Sequence, residues 1–342
     1  MTTLSVLRGD LKHSRSPTGQ GVIEAARRLS KRLVETPVLE SSELNRRMDG
    51  RVLLKAENLQ RGGAFKYRGA FNRLYQLTRA ERRCGVVAYS SGNHAIGVAI
   101  AANELGIPAT LVMPRDAPRV KIQRVRAYDA DIIFYDRLRD SREDLATTFA
   151  RERGALVVPS FDDPWVIEGQ GTAALELIRY TRRRAIKVDS FVCPAGGGGL
   201  LAGCALAFAH QSPETIMIAA EPVGFDDIAR SIASRVRQSN ELRDGSVCDA
   251  LLVASSGELT FPVLLDHVSH GVAVTDIEVL VAVAYAWDVL KLVIEPSGAV
   301  GLAALLAGKI ESRGKTIATI LSGGNVDFSV IAESRPPTGV PP

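Results

Sequence analysis

The feature that most constrains the fold is a repeated alternation of short, strongly apolar runs with longer amphipathic runs. The short runs are rich in Val, Ile and Leu, and they include "RVLLKAEN", "GVVAYS", "ATLVMP", "DIIFYD" and "ALVVPS". They are too apolar for a sheet with one face in water, which favours parallel strands buried on both faces. The longer runs have helical spacing. We therefore predict an α/β fold whose parallel-rich sheets are flanked by helices.

Helices and strands can be placed from the same pattern. We predict a first helix over "VIEAARRLSKRLVETP", from Val22 to the stop at Pro37, and later helices over "AFKYRGAFNRLYQL", "HAIGVAIAANELG" and "APRVKIQRVRAYD". The last helix and strand pair ends in "TIATILSGGN". The pattern contains no internal repeat.

Charge and cysteine usage exclude several classes of function. A formal net charge of +4 spread over 342 residues does not favour nucleic acid or an anionic membrane as partner. The four cysteines are scattered without metal-binding spacing, which indicates free thiols in a reducing compartment. No apolar signal core opens the chain, so we expect a cytoplasmic protein.

Three of the predicted strands end in turns rich in Gly, Ser or Asn. These turns are "YSSGNHAIG" (residues 89–97), "PAGGGGLLAG" (residues 194–203) and "LSGGNVD" (residues 321–327). A fourth turn, in "QRGGAFKYRGAFNRL", presents a single amine, Lys66, at the start of a helix. Because ligands of open parallel sheets bind at the carboxyl ends of strands, the four turns point to one shared site.

The glycine run at residues 196–199 is the most informative of these turns. Four glycines leave backbone N–H groups bare at the positive end of a helix, as a phosphate cradle requires. The run is not a P-loop, and no acid follows it at the spacing that binds a ribose. A phosphate is the favoured ligand, with a nicotinamide or flavin nucleotide and a plain structural turn as alternatives.

A phosphate-bearing ligand that also needs a lysine is pyridoxal phosphate, which forms a Schiff base with that amine. The chain resembles fold-type II pyridoxal-phosphate enzymes of the serine/threonine dehydratase (threonine ammonia-lyase) and serine racemase family. The resemblance covers roughly residues 22–328 and rests on ordered motifs: "TPVLESSELN", "LLKAENLQRGGAFKYRGAFNRL", "SSGNHAIGVA", "GGGGLLAG", "AAEP", "ELTFP", "KLVIEPSGAV" and "LSGGN".

The resemblance implies a tryptophan-synthase-β-like architecture with two open twisted sheets and the cofactor between two domains. Its large cofactor-binding domain would comprise residues 21–78 and 165–330, and its small mobile domain residues 79–164. A flexible N-terminal arm (1–20) and a disordered tail (331–342) would flank them. Relatives of this kind imply a homodimer with a small amino acid as the substrate.

The family's cofactor contacts carry over onto matching positions of this chain. Lys66 would bind the cofactor and then remove the substrate's α-proton, and the glycines before it would give clearance for the cofactor ring. The other implied cofactor residues are Phe65, Asn93, Gly196, Gly197, Gly198, Gly199, Leu200, Glu295 and Ser322. A neutral hydroxyl at Ser322, facing the ring nitrogen, would favour elimination over deep electron delocalisation.

The resemblance also assigns the substrate contacts and a cation site. The substrate carboxylate would be held by Ser90, Ser91, Asn93 and His94, with Ser91 opposite Lys66, and Ser255 would meet the carboxylate or side chain. Glu221, the carbonyl of Phe225 and Asp227 match a divalent-cation site, where oxygen ligands suit Mg²⁺ or Ca²⁺. The alternative is that Asp226 or Asp227 caps the helix "DIARSIASRV".

The implied reaction is dehydration and deamination of a hydroxy amino acid such as L-threonine or L-serine to a 2-oxo acid and ammonium. No regulatory module follows the matched region, which implies a catabolic role. The alternatives are a serine or other amino-acid racemase, and a dehydratase for 3-hydroxyaspartate, phenylserine or a hydroxyectoine-derived amino acid. A nicotinamide-dependent oxidoreductase and a catalytically silent pyridoxal-phosphate-binding protein are disfavoured.

Overall fold

The computed structural model describes residues 15–90, 92–137, 139–242 and 244–333, and within them it contains two mainly parallel sheets. In chain order the strands are β1 (Val38–Leu39), β2 (Arg51–Ala56), β3 (Val86–Tyr89), β4 (Ala109–Pro114), β5 (Asp131–Tyr135), β6 (Leu156–Val157), β7 (Ser190–Pro194), β8 (Ile216–Pro222), β9 (His270–Val274) and β10 (Thr316–Leu321).

The helices lie between these strands. They are α1 (Gly19–Leu29), α2 (Ser42–Met48), α3 (Lys66–Tyr75), α4 (Arg79–Cys84), α5 (Asn93–Leu105), α6 (Arg119–Arg126), α7 (Arg142–Arg153), α8 (Pro164–Arg182), α9 (Gly199–Gln211), α10 (Asp227–Ser234), α11 (Thr260–His267), α12 (Asp276–Tyr285), α13 (Pro296–Leu306) and α14 (Phe328–Glu333). Short 3₁₀ turns (Glu57–Leu59 and Arg61–Gly63) precede α3, and a π-helical turn (Ala286–Leu290) follows α12.

The larger sheet has six strands in the order β1-β2-β10-β7-β8-β9, and only β1 pairs antiparallel to its neighbour. Neighbouring residues of one strand enter different cores: Leu53 belongs to the core under α8 and α9, and Leu54 to the core under α12 and α13. Both faces of the sheet are therefore covered, which confirms the predicted α/β class.

The smaller sheet has four parallel strands in the order β5-β4-β3-β6, all drawn from residues 86–157. Its strands also alternate between two cores, since Val86 packs on α5 and Val87 on α7. The sheet lies inside the segment assigned to a small domain. The domain boundaries and the mobility of that domain stay predictions.

Two predicted boundaries differ from the structure. Helix α1 ends at Leu29 instead of near Pro37, because the Gln60 side chain hydrogen-bonds both backbone groups of Val34 and holds it outside a helix. Residues 331–333 belong to α14, and Ile331 is buried, so the predicted tail begins too early. The rest of the tail, and most of the predicted arm, lie outside the described residues.

A buried ionic cluster fixes the start of α3, the helix that begins at Lys66. Arg68 is fully buried and binds two carboxylates, with Nε 2.7 Å from Glu57 Oε2 and Nη1 2.7 Å from Glu176 Oε1. Lys55 Nζ lies 2.6 Å from the same Glu176 carboxylate. Two cations thus face two carboxylates between β2, α3 and α8, and every charge has a partner.

In the part of the chain that the structure describes, no helix has both the length and the apolar character needed to cross a membrane.

Candidate active site

The turn that carries Lys66 is hydrogen-bonded to the turn that follows β10. The Phe65 N–H donates to the Ser322 carbonyl at 3.1 Å, and the Gly324 N–H donates to the Gly63 carbonyl at 2.8 Å. Lys66 is the first residue of α3, directly after this contact. The carboxyl ends of β2 and β10 therefore bring Lys66 and Ser322 to the same place.

Gly62 and Gly63 serve the conformation of this turn. Both have φ near +73°, a region that side-chain-bearing residues seldom adopt. A Cβ on Gly62 would lie 2.9 Å from Ile100 Cδ1, and one on Gly63 would lie 2.6 Å from Asn325 Oδ1. The space that these glycines leave is taken by neighbouring side chains, so the expectation that they clear a cofactor ring is wrong.

The amine of Lys66 lies in the interior without an acidic partner. Its Nζ donates to the Ser160 carbonyl at 2.7 Å, and within the described residues no carboxylate lies within 4.0 Å of it. Burial lowers the pKa of Lys66 to about 8. The amine is therefore ready to lose its proton near neutral pH, as a nucleophile or base must.

The glycine run forms a buried cradle at the start of α9. Gly198 has φ of +87°, and the helix begins at Gly199. A Cβ on Gly197 would lie 2.4 Å from the Phe161 ring. The backbone N–H groups of Gly196, Gly197 and Gly198 are buried, and they donate to no other described residue. Buried N–H groups at a helix N-terminus suit a phosphate, so the cradle fits the predicted cofactor.

A small cavity joins the cradle to Lys66. Most of the predicted cofactor residues line it, namely Phe65, Lys66, Asn93, Gly196, Gly197, Gly198, Gly199, Leu200 and Ser322. No carboxylate lines this cavity among the described residues. The structure thus brings together one amine, one amide, three serines (Ser160, Ser297 and Ser322) and a set of backbone N–H groups. Their individual roles stay predictions.

Asn93 is held in one orientation by two neighbours. Its Oδ1 accepts from Asn325 Nδ2 at 2.9 Å, and its Nδ2 donates to Glu295 Oε1. Asn325 also donates to the Gly62 carbonyl at 2.7 Å, which ties this network to the Lys66 turn. The second N–H of the Asn93 amide is left available where Asn93 borders the cavity.

Glu295 lies behind Asn93 and not on the wall of the small cavity. Its Oε2 is 3.2 Å from Lys121 Nζ, which is also 2.8 Å from Asp249 Oδ2. Burial raises the pKa of the Glu295 carboxyl, although the charge of Lys121 opposes that rise. In this structure Glu295 therefore acts on Asn93 and Lys121, while its predicted place near a ring edge stays a prediction.

A larger cavity of about 410 Å³ adjoins the small one and shares Lys66 and Asn93 with it. Three further residues predicted to contact the substrate line it, namely Ser90, His94 and Ser255. Helix α5 begins at Asn93, and its N-terminus, the positive end of the helix dipole, faces the same space and suits a carboxylate. Ser91, the predicted residue opposite Lys66, lies outside the described residues.

His94 enters this cavity as a neutral ring. Its Nε2 lies 3.0 Å from the Val158 carbonyl, which can only accept, so Nε2 carries the proton. Burial lowers the pKa of His94 to about 3. The other ring nitrogen, Nδ1, is therefore an acceptor and cannot donate to a carboxylate. The predicted help of His94 can come only from its backbone N–H.

Two arginines also line the larger cavity. Arg142 Nε lies 2.8 Å from Glu143 Oε1, so its charge is shared with a neighbour. Arg237 donates to the Ser256 carbonyl at 3.1 Å and has no carboxylate within 4.0 Å among the described residues. The described wall of this cavity also carries the carboxylates of Glu143, Asp162, Asp249 and Glu258, so Arg237 is a cation without an ion pair in a wall of mixed charge.

One of the predicted cation residues, Glu221, caps a helix in this structure. Glu221 accepts from the N–H groups of Ile228 and Ala229 at 3.0 and 2.8 Å, so Glu221 caps α10, and the predicted caps at Asp226 and Asp227 are wrong. Asp227 instead accepts from Asn240 and from the Ser256 N–H. Burial and the nearby Asp227 raise the pKa of Glu221 well above its usual value.

A metal at this place stays a prediction. Phe225 is buried beside the two carboxylates, and its N–H donates to the Pro222 carbonyl. Within the described ranges, no three His, Cys, Asp or Glu side chains are grouped to hold a metal ion. The coordination shell of a divalent cation bound here would have to include carbonyl oxygens or water.

Sequence reasoning missed four residues of this site, namely Lys121, Ser160, Asp249 and Asn325. Asn325 lies within the motif "LSGGN" and Asp249 within "VCDAL", so the sequence drew attention to both segments. It did not indicate which residues these two side chains contact. Ser160 acts through its carbonyl, which no side-chain pattern marks. Lys121 lies among three arginines of α6, so nothing in the sequence distinguished it from a solvated charge.

Comparisons with known proteins agree with the geometry. The chain matches the family model described as pyridoxal-phosphate dependent enzyme over residues 29–323. An L-threo-3-hydroxyaspartate ammonia-lyase of Pseudomonas sp is 41% identical over 91% of this chain and 96% of its own length. A serine racemase of Schizosaccharomyces pombe is 39% identical over 91% and 95%, respectively.

Solved structures give the same result. The crystal structure of a threonine deaminase from T.th. aligns with a TM-score of 0.86 at 40% identity, over 91% of this chain and 99% of that chain. These matches confirm the resemblance to fold-type II enzymes and the predicted cofactor. The chain belongs to the family of pyridoxal-phosphate dependent enzymes.

Proposed function

We propose that this enzyme converts a β-hydroxy amino acid such as L-threonine or L-serine into a 2-oxo acid and ammonium. One observation carries the proposal: the amine of Lys66, which has no ion pair among the described residues, lies where the buried glycine cradle meets a cavity large enough for an amino acid. The atoms balance, because the α-proton and β-hydroxyl leave as one water. A second water then supplies the oxygen of the 2-oxo group when the nitrogen leaves as ammonium.

Different residues of the chain would accept the proton, bind the cofactor phosphate and bind the substrate carboxylate. When bound, pyridoxal phosphate withdraws electrons from the α-carbon of the substrate and so acidifies the α-proton. Lys66 Nζ takes that proton, since burial has already lowered its pKa. The N–H groups of the glycine cradle bind the phosphate, and the N-terminus of α5 binds the substrate carboxylate.

The polarity of the small cavity supports elimination. Ser322 contributes a neutral hydroxyl, and the described wall of this cavity contains no carboxylate that could hold a proton on the cofactor ring. A neutral wall favours prompt loss of the β-substituent over prolonged delocalisation of charge.

A second candidate substrate is 3-hydroxyaspartate, which carries a β-carboxylate. The observation that favours it is Arg237, which offers its positive charge to the larger cavity. A relative named L-threo-3-hydroxyaspartate ammonia-lyase is 41% identical to this chain, which also supports this candidate.

The test is a panel of L-serine, L-threonine, L-threo-3-hydroxyaspartate and L-threo-phenylserine with the cofactor-loaded enzyme. The 2-oxo acid and ammonium are measured together, and the amino acid inverted at the α-carbon is followed in the same samples, which is D-serine for L-serine and the D-configured epimer for the other three. We expect equal amounts of oxo acid and ammonium from at least one substrate, and none with the Lys66→Ala variant.

Each result has a defined meaning. Faster turnover of 3-hydroxyaspartate that falls selectively in Arg237→Gln would assign the second candidate substrate. Formation of an amino acid inverted at the α-carbon without oxo acid would replace elimination by racemisation, the activity that relatives such as the serine racemase of Schizosaccharomyces pombe are named for. An enzyme that binds the cofactor and converts none of the four substrates would contradict the proposal.

A further inference from the structure

Lys121 is a buried cation that the proposed reaction does not use. Its side chain is only 2% exposed, and lysines are rarely buried without a partner. The ammonium lies 2.8 Å from Asp249 and 3.2 Å from Glu295. Lys121 lies on α6, which packs beside the smaller sheet, while both carboxylates belong to the part of the chain that builds the larger sheet. The ion pairs therefore connect a helix beside the smaller sheet to segments that belong with the larger sheet.

The charge of Lys121 reaches the cofactor site through one carboxylate. Glu295 binds Lys121 with Oε2 and accepts from the Asn93 amide with Oε1. Asn93 in turn lies on the wall that both cavities share. Packing leaves Glu295 little freedom, because a Cβ on Gly323 would lie 2.1 Å from its Oε1.

The stem of Lys121 also supports the turn that precedes Asn93. A Cβ placed on Gly92 would lie 2.3 Å from Lys121 Cδ and 3.0 Å from its Nζ. The aliphatic stem thus fills the space directly beneath this turn. Lys121 contacts the Asn93 region twice, by packing against Gly92 and by charge through Glu295.

We propose that Lys121 is a positioning residue for the cofactor: through Glu295 it fixes the Asn93 amide at the wall between the two cavities. With Lys121 in place, Glu295 faces a cation at Oε2 while its Oε1 accepts one N–H of the Asn93 side chain, and Asn325 donates to Asn93 Oδ1. Because these two partners fix the amide, the second N–H of the Asn93 side chain keeps one direction at the cavity wall. This inference concerns cofactor binding and does not depend on which amino acid is the substrate.

The experiment measures the Kd of pyridoxal phosphate for the cofactor-free protein by equilibrium dialysis. Lys121→Met removes the charge and keeps the stem, and we expect binding about tenfold or more weaker. Lys121→Arg keeps a cation and should restore most of the affinity. The matched control is Lys309→Met, which breaks an ion pair with Glu278 beyond the far end of α13 and should leave Kd unchanged.

A double-mutant cycle separates positioning from general packing. If Lys121 acts through Glu295, Lys121→Met in a Glu295→Gln background should weaken cofactor binding much less than it does alone. Circular dichroism and thermal midpoints of the cofactor-free proteins establish that the variants are folded.

Several outcomes would overturn the proposal. They are wild-type affinity in folded Lys121→Met, failure of Lys121→Arg to restore binding, and fully additive effects of the two substitutions. Loss of folding in both Lys121 variants would assign the residue to stability and would overturn it as well. Wild-type affinity in Glu295→Gln would exclude Glu295 as the route.

Discussion

Two lysines lie in the interior on either side of Asn93, and their surroundings give them opposite proton affinities. Lys66 faces only the Ser160 carbonyl, and burial lowers its pKa to about 8. For Lys121, burial also favours the neutral amine, but Glu295 and Asp249 outweigh it and raise the pKa well above its usual value. One lysine can exchange a proton near neutral pH, and the other is a permanent cation.

The difference shows that neighbouring carboxylates, and not the residue type, decide what a buried lysine does. An amine with no acid within reach becomes a base or nucleophile, while an amine between two acids becomes a fixed charge that holds other groups in place. Each of the following predictions tests one side of this comparison, beginning with the largest expected effect.

Lys66→Arg should abolish catalysis although it keeps a positive charge. A guanidinium stays protonated at all useful pH values, so it can neither capture the cofactor's aldehyde nor remove an α-proton. We expect turnover to fall at least about a thousandfold, together with loss of the visible cofactor band that borohydride reduces in the wild type. The control is Lys187→Arg at the surface, and a surviving band in Lys66→Arg would break the contrast.

Arg68→Met should produce the largest loss of stability. The substitution leaves the buried Glu57 and the largely buried Glu176 with only Lys55 as a counter-charge, and removal of one partner from a buried pair costs about 3 to 5 kcal/mol. The measurement is the free energy of unfolding of the cofactor-free protein in urea. A loss below about 1 kcal/mol, the value of an exposed pair, would show that this cluster is not what fixes the start of α3.

The rate at which the cofactor-free enzyme captures pyridoxal phosphate should depend on pH through Lys66. Only the neutral amine attacks the aldehyde, so below a pKa of about 8 the rate should fall about tenfold for each pH unit. Stopped-flow absorbance measured from below to above this pKa would follow the change. A rate that does not change over this range would show that Lys66 is not the titrating group.

Arg51→Met should have the smallest effect. Arg51 pairs with Glu40 at 2.9 Å, but both side chains are partly exposed, and such pairs contribute at most about 1 kcal/mol. Urea unfolding beside Arg68→Met gives the direct comparison. An equal loss in the two variants would show that burial does not set the value of these ion pairs.

Much of the fold could be read from the sequence because strand and helix patterns are local. The runs that became β2, β3 and β4 were recognisable from their apolar residues alone. Their partners were not, since β2 pairs with β10, which lies far along the chain. The early end of α1 depends on a contact between Gln60 and Val34, which no local pattern contains.

The site could be predicted where a motif carries its own chemistry, as in the glycine run and Lys66. It could not be predicted where a residue acts through a distant partner. Lys121 and Glu295 are far apart in sequence, and only the packing of α6 against the larger sheet brings them together. The role of Glu221 as a cap was missed for a related reason. Its hydrogen-bond partner Ile228 lies on the far side of a turn whose path the sequence pattern does not predict.

The strand order of the larger sheet has a consequence for synthesis. β10 is the last strand of the described chain, yet it lies in the middle of the sheet between β2 and β7. The strands of the smaller sheet are contiguous and can pair as soon as they leave the ribosome, since domains fold as units from the N-terminus. Until residues 316–321 emerge, β2 and β7 expose unpaired edges of the kind that invite aggregation. Translation must therefore reach residue 321 before the larger sheet can form completely.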